Sequence, residues 1–483
     1  MTQIDQAWKT QPDIVTKQAE HVTKAIRASQ SDDGGSDEPV ELNQAMVQRV
    51  ASALSDQFDP QYGGFGYSAA NPDRPKFPEP ANLIFLLDRM SRESVSQADR
   101  DEAQSMLVKS LDGMISGAMV DHLGGGFHRY SVDRRWQIPH FEKMLYDNGQ
   151  LASVYARAYE KTNNEEYRRV TERLCEFVLR ELKAPGNAFY SALDADSEGE
   201  EGKFYRWTDE EVTELTESID GFADAAKIYR LVGKPNFEGE YFAPDPRGTL
   251  SDIAKERGES YTALDERLAS IRQRMFDIRS QRERPITDTK ILTAWNGLMI
   301  AGFADAGRIL KKPEFTQDAV RAAEFVISEL ADESGRLKRS FAGGKATLNA
   351  YLDDYAFFTS GLIALHRATG DERWLLLARK ITDKQIELFW DDRQGGFFFT
   401  SSDHPELIVR VKDPIDGAIP SGASVSAENL MYLADHSPKS DYQEKLKATL
   451  QAMAPMFRRA PAGVPRIAAV LAAYLDPTTT PHP

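Results

Sequence analysis

Among 483 residues there is one cysteine, Cys175, so neither an internal disulfide nor a multi-cysteine zinc site can form, which fits a reducing compartment. Cys175 falls in an amphipathic helical pattern, where a thiol behaves as a small inert hydrophobe. Long apolar runs are missing too. Nothing approaches the roughly 18 residues that a membrane span requires, and the N-terminus MTQIDQAWKTQ has no apolar signal region. A cytoplasmic protein is the expectation. Positive charge is outnumbered and dispersed: 59 Lys and Arg against 75 Asp and Glu give a formal net charge of −16, with no clustered basic face for a nucleic-acid backbone. The glycine runs carry neither a lysine-ending P-loop nor a dinucleotide fingerprint. No nucleic acid, membrane, cofactor or metal is therefore expected. DADSEGEEG (194–202) resembles the opening of a calcium loop, but Tyr205 stands at the twelfth position, where a bidentate glutamate belongs.

What the chain does have is a recurring unit of glycine turn, aromatic strand, proline and helix. It runs first through FDPQYGGFGYS, RPKFPEP and ANLIFLLDRM, and again from Leu123 through GGGFHRYSVDRRWQIPHFEKMLYDN. The glycine pair and the proline recur at one offset (124 − 63 and 139 − 78 both give 61). Further copies begin at Pro185, at TKILTAWNGLMIAG, at ESGRLKRSF with YLDDYAFF, and at DRQGGFFF with DGAIPSGASVSAENL. A period near sixty suits two helices and a structured hairpin. Glycines 124–126 allow a sharp turn, and Pro139 suits a first helical position. Apolar residues at Phe141, Met144, Leu145, Leu151, Ala152, Tyr155 and Tyr159 then mark one buried helix face, placing His140, Glu142 and Lys143 at a helix mouth. Residues 3–29 read as a first helix, 31–39 as a polar loop, and a second helix follows from about Leu42. Residues 209–285 read as an insertion carrying a helix at 261–281. The reading is an all-α (α/α)6 toroid forming a single domain over 1–483, with short β-hairpins at one rim. An open solenoid is its rival, because periodicity does not report closure.

GGGFHRYSVDRRWQIPHFEKMLYDN, DADSEGEEGKFYRWT, TKILTAWNGLMIAG, YLDDYAF and DGAIPSGASVSAENL resemble the successive motifs of the YyaL-like thioredoxin-domain-containing family, which includes spermatogenesis-associated protein 20, from about Trp8 to Leu433. That resemblance implies a six-hairpin toroid like those of glycosidases and of N-acylglucosamine 2-epimerase. It also implies an N-terminal thioredoxin-like domain with a cysteine motif. This sequence carries no such domain and Cys175 cannot replace it, so a shortened chain or a thioredoxin-like partner acting in trans is expected. Gly149 stands where the family tends to have alanine, Ala423 where asparagine is expected, and ITDT (286–289) replaces a more basic stretch.

The residues able to carry chemistry lie in these motifs. His128 and His140 flank Phe127, Arg129, Tyr130, Arg134, Arg135 and Trp136, and aromatic faces beside hydrogen-bonding groups suit a sugar ligand. Carboxylates recur at helix starts as Glu142, Asp147, Asp288, Asp353 and Asp354, with Trp295, Asn296 and Tyr351 near them. Glycoside hydrolysis needs one protonated carboxyl and one carboxylate: Glu142 and Asp354 are assigned as that pair, with His140 orienting. Phe127, His128, Arg129, Tyr130, Trp136, Asp147, Trp295, Asn296, Tyr351 and Asp353 are assigned to substrate binding. Each has a structural alternative, since acidic residues cap helices, histidines satisfy buried backbone and tryptophans fill cores. An epimerase would need a second base beside His128 or His140, drawn from His366, His404, His436 or His482. The functional expectation is a carbohydrate-active or carbohydrate-binding protein. A scaffold docking a thioredoxin-like partner is the alternative, and an acidic, aromatic mouth with perturbed carboxyls would separate the two.

Overall fold

Two kinds of helix alternate along the chain in the computed structural model, which describes residues 2–31, 40–404, 407–437 and 441–477. In chain order the helices of the ring are α1 (Gln44–Asp56), α2 (Pro80–Ser91), α3 (Gln97–Ser116), α4 (Leu145–Thr162), α5 (Glu165–Phe177) and α6 (Thr293–Ile309). They continue as α7 (Pro313–Glu329), α8 (Leu352–Thr369), α9 (Glu372–Phe389), α10 (Gly422–Asp435), α11 (Tyr442–Met453) and α12 (Pro465–Leu475). Each even-numbered helix packs on the next, and α12 returns to α2; the odd-numbered helices lie outside. The ring is closed, so the architecture is an (α/α)6 toroid and not a solenoid. Sequence explains which helix goes where. Inner helices are buried on nearly every side, as in α8 with Leu352, Tyr355, Phe358, Leu362 and Leu365. Outer helices such as α5 keep one apolar stripe.

Glycine sets the spacing of the inner ring. A Cβ on Gly297 would lie 2.5 Å from the Phe357 carbonyl, and one on Gly302 would lie 2.4 Å from the Gly149 carbonyl oxygen. Helices α4, α6 and α8 thus meet backbone to backbone. Gly149 belongs to the same seam, because its Cβ would stand 2.8 Å from the Met299 amide.

The hairpins share a hidden construction. Asp59, Asp121 and Asp391 each accept amides of their own glycine turn. Each also binds a lysine from the following segment: Lys76 at 2.7 Å, Lys143 at 2.8 Å and Lys412 at 2.7 Å. The same lysines donate to the carbonyls of Gly63, Gly125 and Gly395. Asn148 on α4 then holds the amide and carbonyl of Phe127, and Asn296 on α6 does the same for Phe189.

Several expected boundaries move. The helix expected over 3–29 is two, Thr2–Thr10 and Pro12–Ser31, since Pro12 has no N–H to continue the first. Residues 32–39 of the expected loop, and His482, lie outside the described residues. The helix expected at Pro139 starts at Leu145. Pro139–His140 pairs instead with Tyr130–Ser131, and Lys143–Met144 joins Ala192–Leu193 and Thr287–Asp288 in a three-stranded sheet. Alternation along these strands puts Lys143, Leu193 and Thr287 on one side and Met144, Ala192 and Asp288 on the other. The longest hairpin, Lys338–Ala342 with Lys345–Asn349, lies outside the GGF turns to which strand signals were assigned. Between the third hairpin and α6, helices Asp209–Ser218, Phe222–Ile228, Leu250–Arg257 and Tyr261–Arg279 enclose their own apolar cluster, which includes Trp207, Phe222, Tyr229, Leu264 and Met275.

Candidate functional site

The N-terminal ends of α4, α6, α8 and α10 meet at the hairpin rim, because Asp354 reaches the Ala294 amide, Gln150 reaches the Ala418 carbonyl, and Asp353 accepts from the Gly422 amide. First-turn side chains of inner helices are thereby turned toward a common mouth. Beneath it Met144, Tyr146, Leu298, Phe357 and Val425 pack as a buried apolar group, with the partly exposed Trp295 against them. Tyr146 and Trp295 meet edge to face at 4.9 Å.

One wall is a chain of polar contacts. Arg129 donates to Glu142 at 2.9 Å and to the Tyr146 hydroxyl. His140 stacks on Tyr130 at 4.9 Å, with Nδ1 2.7 Å from Glu201 Oε1 and Nε2 3.7 Å from Glu142 Oε2. Asp147 is buried beneath them, and its Oδ2 has no hydrogen-bond partner among the described residues. Burial pushes its carboxyl well above the usual range, Arg129 opposing and Glu142 adding to the effect.

A second group of polar side chains is carried by the first turn of α8. Burial, with the charges of Asp354 and Asp413 beside it, holds the Asp353 carboxyl up at about 7, against Arg339 and the Gly422 amide. Asp354 is spent differently: Oδ1 accepts from the Ala294 amide at 3.0 Å and Oδ2 from the Tyr351 amide at 2.9 Å. It therefore caps α6 and α8 together. Its carboxyl is raised by burial to about 6. Arg339 lies over the Tyr351 ring at 4.9 Å, and Tyr351 stacks on Phe399.

Arg129, Tyr130, His140, Glu142, Asp147, Trp295, Tyr351 and Asp353 thus belong to the rim, and four other assigned residues do not. Phe127 is core, stacked on Tyr155 at 5.2 Å. His128 is buried, with Nδ1 on the Phe141 carbonyl, and burial together with the Lys143 charge lowers its pKa to about 3, so it stays neutral. Trp136 braces the first two hairpins through Nε1 to the Tyr62 carbonyl at 2.9 Å, and Asn296 is the clamp on Phe189. Among the other histidines, His366 sits in the last turn of α8 bonded to the Tyr432 hydroxyl, and His404 lies beside Tyr351; no contact joins either to His140. Sequence reasoning missed Glu201, Arg339 and Asp413. The first sits in the hairpin Asp196–Ser197 with Glu200–Glu201, written in DADSEGEEG, whose spacing suggests an incomplete calcium loop. Tyr205, downstream of that hairpin, is buried in an aromatic cluster. Among the described residues no group of three or more His, Cys, Asp or Glu could hold a metal ion, and no helix is long and apolar enough to cross a membrane.

No family model matches the chain. It is homologous to spermatogenesis-associated protein 20: 34% identical to the mouse protein over 499 residues, 96% of this chain and 62% of that protein. The human protein is 34% identical over 510 residues, covering 98% and 64%. The chain thus spans less than two thirds of the length of these curated relatives. Among solved structures, a D-mannose isomerase superposes with a TM-score of 0.52 at 9% identity, over 86% of this chain and 87% of that one. A GH76 alpha-mannanase from Bacteroides thetaiotaomicron does so with 0.51 at 11%, over 89% and 93%. At these identities the likeness is one of fold.

Proposed function

We propose that the mouth is a sugar site and that the chain is a carbohydrate-active protein, with cleavage of a glycosidic bond as the reaction its carboxyls suit best. The observation that carries this is Asp353, a carboxyl raised to about 7 at a rim lined by Tyr146 and Trp295. A carboxyl in that state donates a proton to a leaving oxygen at neutral pH. Glu142, paired with Arg129, is the second carboxylate, and His140, anchored by Glu201, orients it. The acid role goes to Asp353 and not to Asp354, whose two oxygens are committed to backbone amides. Trp295 and Tyr146 supply faces for a sugar ring. The fold likeness to an isomerase and a mannanase makes mannose-containing glycans the first class to try.

One experiment separates the chemistries. The protein is incubated in D2O with mannosides and free aldoses and followed by NMR. New reducing ends report hydrolysis, deuterium entering C2 of an aldose without cleavage reports epimerisation, and a ketose labelled at C1 reports isomerisation. Asp353→Asn should reduce the observed turnover at least ~100-fold. Absence of both turnover and sugar binding rejects the proposal and leaves a scaffold for a thioredoxin-like partner.

A further inference from the structure

Behind the three-stranded sheet, on the side away from the mouth, lies a second cavity of about 140 Å³. Strand alternation turns Lys143, Leu193 and Thr287 into it, while Met144, Ala192 and Asp288 take the other face. Arg279 closes it from the end of helix Tyr261–Arg279, and Arg180 and Arg284 stand at its edge. Four cations therefore line the cavity against two carboxylates, Asp121 and Glu181.

The donors outnumber what these acceptors use. Asp121 takes two N–H groups of Arg279 and one of Lys143, and Lys143 gives a second to the Gly125 carbonyl. An ammonium has three N–H groups and a guanidinium five. Nε of Arg279 has no partner among the described residues, although the side chain is only 2% exposed. Glu181 is shared between Arg180 and Arg284. A site so rich in donors and poor in acceptors is complementary to a compact group with several acceptor oxygens.

We infer that this cavity binds a tetrahedral oxyanion, either inorganic phosphate or the phosphoryl group of a phosphorylated sugar, at Lys143, Arg180, Arg279 and Arg284. The inference is independent of the sugar site. Its occupant would touch the strand that leads directly into α4 and Tyr146.

The test is calorimetric titration of the full chain with inorganic phosphate in a chloride buffer of constant ionic strength. Variants Arg284→Gln and Arg180→Gln serve as controls, since these side chains are 51% and 37% exposed and can change without opening the core. Saturable one-to-one binding, competed by sulfate and weakened about tenfold in each variant, supports the site. Mannose 6-phosphate binding tighter than phosphate identifies the phosphoryl group of a larger ligand; equal affinity identifies the free anion. No saturable binding of either probe, or equal affinity in wild type and both variants, overturns the inference.

Discussion

Asp353 and Asp354 are adjacent in sequence and opposite in employment, and only atomic detail separates them. Which one has both oxygens committed to amides depends on the start of a helix some sixty residues upstream, so neither helix periodicity nor the DD pair could reveal it. His128 carries the same lesson, because its motif looks as reactive as that of His140 while its ring lies in the core. The Asp353 carboxyl also has a thermodynamic signature. Its folded pKa, about 7, stands above the ordinary 3.8, so the folded state holds the extra proton and stability falls as pH rises from about 4 to about 7. The penalty is complete above that window, at most about 4 kcal/mol. Asp353→Asn should therefore melt a few degrees above wild type at pH 8, with the gap closing toward pH 4. Scanning calorimetry across that range checks it, and a variant less stable than wild type at pH 8 would contradict the burial of this group. Keeping such a carboxyl gives up stability at the position to which the proposed chemistry assigns the acid.

At the level of elements, hairpins and helix starts are locked by side chains whose partners lie far away. DPQYGG, DHLGGG and DDRQGG announce the turns, but nothing in sequence pairs Asp59 with Lys76 or Asp121 with Lys143. Strands of two residues are too short to show alternation, which is why Lys143 was read onto a helix. Three consequences follow from the contacts. Asp354→Ala removes caps from α6 and α8 and should cost about 2 kcal/mol, roughly one per cap. Asn148→Ala unclips Phe127 and should cost about 2–3 kcal/mol, because buried backbone groups lose their partner. Gly297→Ala forces a methyl group against the Phe357 carbonyl and should cost about 1–3 kcal/mol. Urea denaturation of each variant checks these values, and an unchanged midpoint for Gly297→Ala would contradict the close seam between α6 and α8.

Across the whole molecule, the sixty-residue repeat made six helix pairs legible, and the apolar content of the inner helices marked the lining. Closure was not legible, since it depends on α12 meeting α2 across almost four hundred residues. The mouth was legible in part: Arg129, His140 and Glu142 stand in a repeated hairpin motif and Trp295 and Asp353 at helix starts, whereas Glu201, Arg339 and Asp413 come from hairpins and connections whose direction the repeat does not encode. The central claim is that this rim holds a sugar. The most direct measurement is a thermal-shift titration of wild type and Trp295→Leu against mannose-containing sugars, where a ligand stabilises by RT ln(1 + [L]/Kd). At least one sugar should raise the wild-type melting temperature saturably and fail to do so for the variant. A library without effect on wild type, or a sugar that stabilises both proteins equally, would contradict a sugar site at the mouth.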